Sequence, residues 1–207
     1  MKKILTTILV TIFSSLLSQN CETLIPEIYI SDKAKVIYET KLAEAKLNFS
    51  KDPSADNLIW LGRRTAYLGN YEDAIEIYSK GIDQFPKDAR FYRHRGHRYI
   101  SSRCFDLAIK DFKKATRLTR GKPNEIEPDG LPNALGIPTS TLQGNIYYHL
   151  GLTYYIQGKY HKAQHAYEKC LNIAENPDSY VAAANWLYVI YQHLGKNKKA
   201  TNLLNSI

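Results

Sequence analysis

The chain reads as an all-α fold: helix-turn-helix units stacked into a solenoid, opened by an N-terminal capping helix and interrupted by one long insert. Three observations carry this reading. The first is a period. Gly62 and Gly96 stand 34 residues apart, as do Ala74 and Ala108, and Tyr78 and Phe112. Inside each unit a small residue follows the glycine by 12 positions and a ring by 16: Ala74 and Tyr78 after Gly62, Ala108 and Phe112 after Gly96, Ala163 and Tyr167 after Gly151. Self-similarity at such a period marks a repeat architecture. The second is apolar spacing of three or four positions in residues 59–67 and 147–156, the helical signature. The third is composition. Tyr supplies 16 residues, against 6 Phe, 2 Trp and 1 Met, as if one packing position were filled repeatedly by a ring. A chain that is 44% hydrophobic and 23% charged is neither a disordered tail, a collagen-like fibre nor a polytopic membrane protein.

Residues 1–20 read as a secretory signal peptide. Lys2 and Lys3 precede residues 4–17, which carry no charge. A helix of that length spans about 21 Å, short of the ~30 Å hydrocarbon core of a bilayer. The pattern therefore fits a cleaved signal better than a retained anchor or a buried helix. Ser18 before Gln19 suits signal peptidase. Cys21 is a lipidation candidate, although Ser18 and Asn20 depart from the aliphatic and small residues of the usual lipoprotein box. The mature chain is expected outside the cytoplasm, in the periplasm or cell envelope, with membrane attachment through Cys21 as a variant. Export also removes nucleic acid as a partner, despite a formal charge of +8.

Residues 21–54 form an N-terminal segment with a capping helix from Asp32 to Phe49. Repeats are expected over 55–88, 89–122, 144–180 and 181–207, with the insert at 123–143. Gly69, Gly158 and Gly195 each precede Ala74, Ala163 or Ala200 by five positions. They read as helix stops, since glycine accepts positive φ without a Cβ penalty. New helices then begin at Tyr71 and Tyr160, and Pro86 and Pro177 punctuate the ends of second helices. The insert contains Pro123, Pro128, Pro132 and Pro138, so it is no continuous helix. Long loops inside compact domains are often functional. Thr139 or Ser140 is expected to cap the helix that follows.

These positions resemble the tetratricopeptide repeat, in which an aromatic, Leu, Gly, Tyr, Ala, a second aromatic and Pro recur over a helix-turn-helix unit. Tyr147, Leu150, Gly151, Tyr154, Ala163 and Tyr167 match best. The second unit departs with Arg95 in place of Leu, and the first with Thr65 in place of Tyr. The resemblance implies a right-handed solenoid whose first helices line a concave groove. On that register the groove presents Arg63, Tyr67, Arg93 and His97, then Tyr148, Tyr155, Asn185 and His193. Family members that grip a partner's C-terminal carboxylate use Lys and Asn at such places. Here Arg and His stand instead, which does not support that clamp.

Charge is uneven. Residues 87–122 hold twelve basic and three acidic residues, so the net charge of the chain outside that window is −1. Arg offers a planar fork for carboxylate or phosphate, and Tyr adds rigid contact area with a hydroxyl. Three readings follow for the basic end. It takes an acidic group from a partner, the insert's Glu125, Glu127 and Asp129 fold back and neutralise Arg93, Arg95 and Arg98, or it is simply a solvated face. Arg95 favours the second, because it replaces a packed Leu and needs a partner if buried.

Nothing in the sequence asks for catalysis. His161 and His165 lie four apart but no further ligand segment accompanies them. His94 and His97 lack a nearby carboxylate in sequence. Cys170 takes a small-residue packing place, and a bond between it and Cys104 is not expected. No metal or cofactor motif is present. The expected function is a non-catalytic protein- or peptide-binding scaffold or assembly module. The alternatives are a small anionic ligand held by Arg93, His97 and the insert, and a structural homodimer formed through the C-terminal edge.

Overall fold

The structure, a computed structural model, describes residues 29–128 and 138–207. The expected signal peptide, Cys21 and Asp129 lie outside the described residues. Those described form nine helices: α1 (Asp32–Lys51), α2 (Ala55–Tyr67), α3 (Tyr71–Gln84), α4 (Ala89–Ser101), α5 (Phe105–Thr119), α6 (Leu142–Ile156), α7 (Tyr160–Asn172), α8 (Pro177–His193) and α9 (Asn197–Leu204). None of these helices is long and apolar enough to cross a membrane. Helix α1 precedes four hairpins, α2/α3, α4/α5, α6/α7 and α8/α9, each packed on the next to give a solenoid.

The 16-residue offset is the packing rule of the hairpin. The ring of Tyr167 lies where a Cβ on Gly151 would sit, 2.6 Å from the nearest ring atom, and the Phe112 ring stands 3.0 Å from the same point on Gly96. Gly62 is closed off in the same way by Tyr78. Glycine is thus required for helix approach, since any side chain there would meet a buried ring. Ala74, Ala108, Ala163 and Ala200 are fully buried at the facing positions.

Turns repeat as well. Gly69, Gly158 and Gly195 have φ of 84°, 68° and 66°. The second repeat places Arg103 at the equivalent position, with φ of 57°. A side chain in that region costs roughly 1–2 kcal/mol, which glycine avoids. Five helices carry side-chain N-caps, from Ser31, Ser54, Asp88, Thr141 and Asn176. The cap of α6 is therefore Thr141, whose hydroxyl accepts from Gly144 N at 3.2 Å, and neither Thr139 nor Ser140. Those two residues are drawn out as the return arm of the insert. Pro177 opens α8 at its first turn, rather than closing α7.

The core has two parts. A small cluster joins Leu58, Ile59, Ala66, Ala74, Tyr78 and Phe91. A larger one runs from Ala89 to Leu203 through the last three hairpins. Helix α1 contributes little: only Ala45 is buried, and Val36, Ile37 and Leu47 are exposed.

Candidate functional site: the concave face

The first helices of the hairpins, α2, α4, α6 and α8, touch one another in sequence along the stack. Of the eight residues expected to bind, Arg63, Tyr67, Arg93 and His97 lie on α2 and α4, and Tyr148, Tyr155, Asn185 and His193 on α6 and α8.

At the basic end the insert lies against α4 and α2. Its two arms are joined by an antiparallel bridge between Ile126 and Thr141. Leu142 N donates to Glu125 O at 2.8 Å and Glu127 N to Ser140 O at 3.0 Å. Asn124 accepts from Gln143 N, and the Gln143 amide donates to the Lys122 carbonyl at 2.9 Å. This stem delivers Glu127 into the face, where it is buried. Glu127 Oε2 lies 3.1 Å from Arg93 Nε and accepts from Asn145 Nδ2 at 2.7 Å. Glu127 Oε1 lies 3.2 Å from His94 Nε2. The Arg93 Nε and His94 Nε2 approaches are ion-pair distances without hydrogen-bond geometry, which leaves Arg93 Nε and Glu127 Oε1 without a hydrogen bond. Further along the arm, Arg63 Nη1 donates to the Pro128 carbonyl at 2.7 Å, and Arg63 Nη2 lies 3.4 Å from the Tyr67 hydroxyl.

Three imidazoles sit beneath. Arg93 Nη1 approaches His94 Nδ1 at 3.0 Å. A guanidinium only donates, so Nδ1 accepts, and the neutral ring carries its proton on Nε2, toward Glu127. Burial, reinforced by Arg93, Arg63 and Arg98, holds the His94 pKa well below the usual range. His97 and His149 are in ring contact at 4.2 Å. Burial, with neighbouring cations, lowers both, His149 to about 3. With Nδ1 engaged by Arg93 and Nε2 facing Glu127, His94 has no nitrogen free to move a substrate proton.

Arg95 does find a buried partner, but on its own hairpin. Its guanidinium holds Asp111 bidentately, Nε to Oδ2 at 2.7 Å and Nη2 to Oδ1 at 2.9 Å, and donates to Ser79 at 3.0 Å. The expectation that the insert's acids would neutralise Arg95 is thus corrected. Asp111 follows Arg95 by 16 residues, the same offset that sets ring against glycine, so it is an interhelical partner and not an ordinary intrahelical one. Of the insert's described acids, Glu127 is the one seated on the face; Glu125 is exposed.

The other end is aromatic. Trp186 Nε1 donates to the Tyr148 hydroxyl at 2.8 Å. Tyr155 lies edge-on to Trp186 at 5.1 Å, and its hydroxyl is 3.1 Å from His193 Nε2. His193 stacks on Tyr160 at 4.6 Å. Asn185 and His193 are exposed. Beside this wall, between α6 and α8, a cavity of about 360 Å³ is lined by Tyr148, His149, Ser179 and Ala182 among others. Trp186 and Tyr160 were missed in the sequence. The signal was present for Trp186, since it precedes His193 by seven residues and shares its helical face.

Cys170 is a buried free thiol, with its pKa pushed up to about 12 by desolvation. Cys104 is disulfide-bonded, so the two are not joined to each other. Among the described residues no group of three His, Cys, Asp or Glu is placed to hold a metal.

Residues 144–177, the α6/α7 hairpin and the start of α8, match the tetratricopeptide repeat family model. This unit is a tetratricopeptide repeat. The chain is 29% identical over 119 residues to small glutamine-rich tetratricopeptide repeat-containing protein 2 of Saccharomyces cerevisiae, covering 58% of this chain and 28% of that protein. The chain thus spans well under half the length of that relative. MamA superposes with a TM-score of 0.61 at 22% identity, over 86% of this chain and 93% of MamA. The first TPR of Spaghetti (RPAP3), solved bound to the HSP90 peptide SRMEEVD, gives 0.53 at 24% identity, over 68% and 93%. These likenesses are in fold.

Proposed function

We propose that the chain is an exported, non-catalytic scaffold of the cell envelope that holds an extended segment of a partner protein along its concave face. The observation that carries this reading is the state of the two ends of that face. At the basic end Arg93 and Arg63 are already engaged by the chain's own Glu127 and Pro128. At the aromatic end His193 stands exposed beside Tyr155, whose ring meets Trp186, and Asn185 on the same helix is exposed. Rigid rings with hydroxyl and imidazole groups give contact area at low entropic cost, a surface suited to peptide. One domain of this fold holds a peptide. Placement in the envelope rests on Lys2, Lys3 and the uncharged run that follows them.

The test is capture from envelope extract with mature protein, comparing the wild type with an Asn185→Ala, Tyr155→Ala, His193→Ala variant that retains its helical spectrum. The reading expects one prominent partner held by the wild type and lost from the variant. Equal capture by both would end it.

A further inference from the structure

We propose that a second binding site lies on the outer face of the third hairpin, where a basic groove takes an acidic peptide segment carrying apolar side chains. It goes beyond the concave-face reading and does not depend on it.

The groove runs between α5 and α7, with α6 as its floor, and has a volume of about 620 Å³. Its floor is the stripe of α6 that includes Tyr147, Leu150 and Tyr154, at helical spacing, while Tyr148 and Tyr155 belong to the concave stripe. Its walls bring Lys113 and Arg120 from α5 or its end together with Lys162, His161 and His165 from α7, and no Asp or Glu lines it. Lys162 stands over the Tyr154 ring at 5.9 Å. All five are exposed, and none of them is in an ion pair among the described residues.

That lack of counter-charge has a structural origin. Helices α5, α6 and α7 carry three carboxylates between them, and each is engaged elsewhere. Asp106 accepts from Gln157, Asp111 is held by Arg95, and Glu168 accepts from Gln164 and Tyr191. On the concave side the chain brings its own Glu127 to its basic residues. On the outer side no Asp or Glu among the described residues lines the groove. Like charges held together over a low-dielectric floor raise the local potential and favour an anionic occupant. The apolar and aromatic floor selects among anions, since it is filled by apolar side chains and not by a bare phosphate or carboxylate. An acidic peptide with interspersed apolar residues satisfies both walls and floor.

The experiment uses the mature chain and a short fluorescein-labelled peptide of glutamates interrupted by Leu and Phe, read by anisotropy. Wild type is expected to bind it with an affinity that falls with salt, as screened ion pairs require. A Lys113→Glu, Arg120→Glu, Lys162→Glu variant is expected to lose about tenfold or more, a change of about 1.4 kcal/mol. A variant with the same charge change on α1, Lys33→Glu, Lys35→Glu, Lys41→Glu, is expected to bind as wild type does. Trp186→Ala, on the concave face, is expected to leave this binding unchanged. Equal loss in the two charge-reversal variants would reduce the effect to net charge and overturn the site. So would a glutamate-only peptide binding as tightly, or anionic phospholipid vesicles binding in place of the peptide. Loss in Trp186→Ala alone would move the peptide to the concave face and overturn the site as well.

Discussion

The two ends of the concave face use the same four-helix frame in opposite ways. The α2/α4 end is basic, buried and filled from within: Glu127 reaches Arg93, His94 and Asn145, and Pro128 reaches Arg63. The α6/α8 end is aromatic and open, its groups satisfied mainly by one another. A basic helix face therefore does not by itself indicate an anionic partner. Where an insert can supply a carboxylate, the positive charge is part of the fold, and the surface left for partners lies elsewhere.

The comparison is broken most severely by removing the internal carboxylate. Glu127→Ala leaves Arg93 buried without its anion, which typically costs about 3–5 kcal/mol. We expect that loss in urea unfolding, and no comparable loss for exposed Glu125→Ala. Equal effects would mean that the arm, and not the charge, matters.

Acid is the next lever. His149, whose pKa is lowered to about 3, and His94 stay neutral in the fold but titrate near 6.5 when unfolded. Below that value the unfolded chain binds protons that the folded chain refuses, so stability falls as pH falls. One such imidazole lowers stability by about 2 kcal/mol at pH 5. The urea midpoint is expected to drop between pH 7.5 and 5, and His149→Phe should flatten the drop. A midpoint independent of pH would show that these rings are not held neutral.

At the open end the expected effects are smaller. Trp186→Phe removes the donor to Tyr148 and should cost about 1 kcal/mol, the net worth of one hydrogen bond. Tyr148→Phe should cost about the same, and the double variant no more than either alone. Additive losses would rule out that bond as the cause.

The smallest effect concerns the turns. Arg103→Gly should be neutral or stabilising by up to about 1 kcal/mol, because the residue already holds positive φ. Gly158→Ala, at the equivalent turn of the third hairpin, should have the opposite sign. Thermal midpoints of the two variants decide it.

Much of this was legible in the sequence. Gly62, Gly96 and Gly151 announced the helix approaches because the ring that closes each one recurs at a fixed offset. The repeat register also gave the expectation that Arg63, Arg93, Tyr148 and Tyr155 share one face of the stacked first helices. The same offset also contained the Arg95–Asp111 pair, which counting charges along a single helix conceals. Glu127 is different in kind. Its position in the insert obeys no period, so only the three-dimensional path of the stem between Lys122 and Gln143 brings it to Arg93. For the same reason His94 looked as though it lacked a carboxylate, since its nearest one is 33 residues away in the chain.

The division of the core into a small first cluster and a large second one bears on how the molecule comes apart. A solenoid has only neighbour-to-neighbour interfaces, so it unzips from its weaker end. That end is α1, with one buried residue, and the α2/α3 hairpin behind it. Amide hydrogens there should exchange first, while those of α6 and α7 are released only with global opening. Arg63 and Arg93 straddle that boundary, and the insert, rooted on α6, reaches across it to both. The arm that occupies the basic end of the face thus also fastens the loosest part of the array to its most durable part.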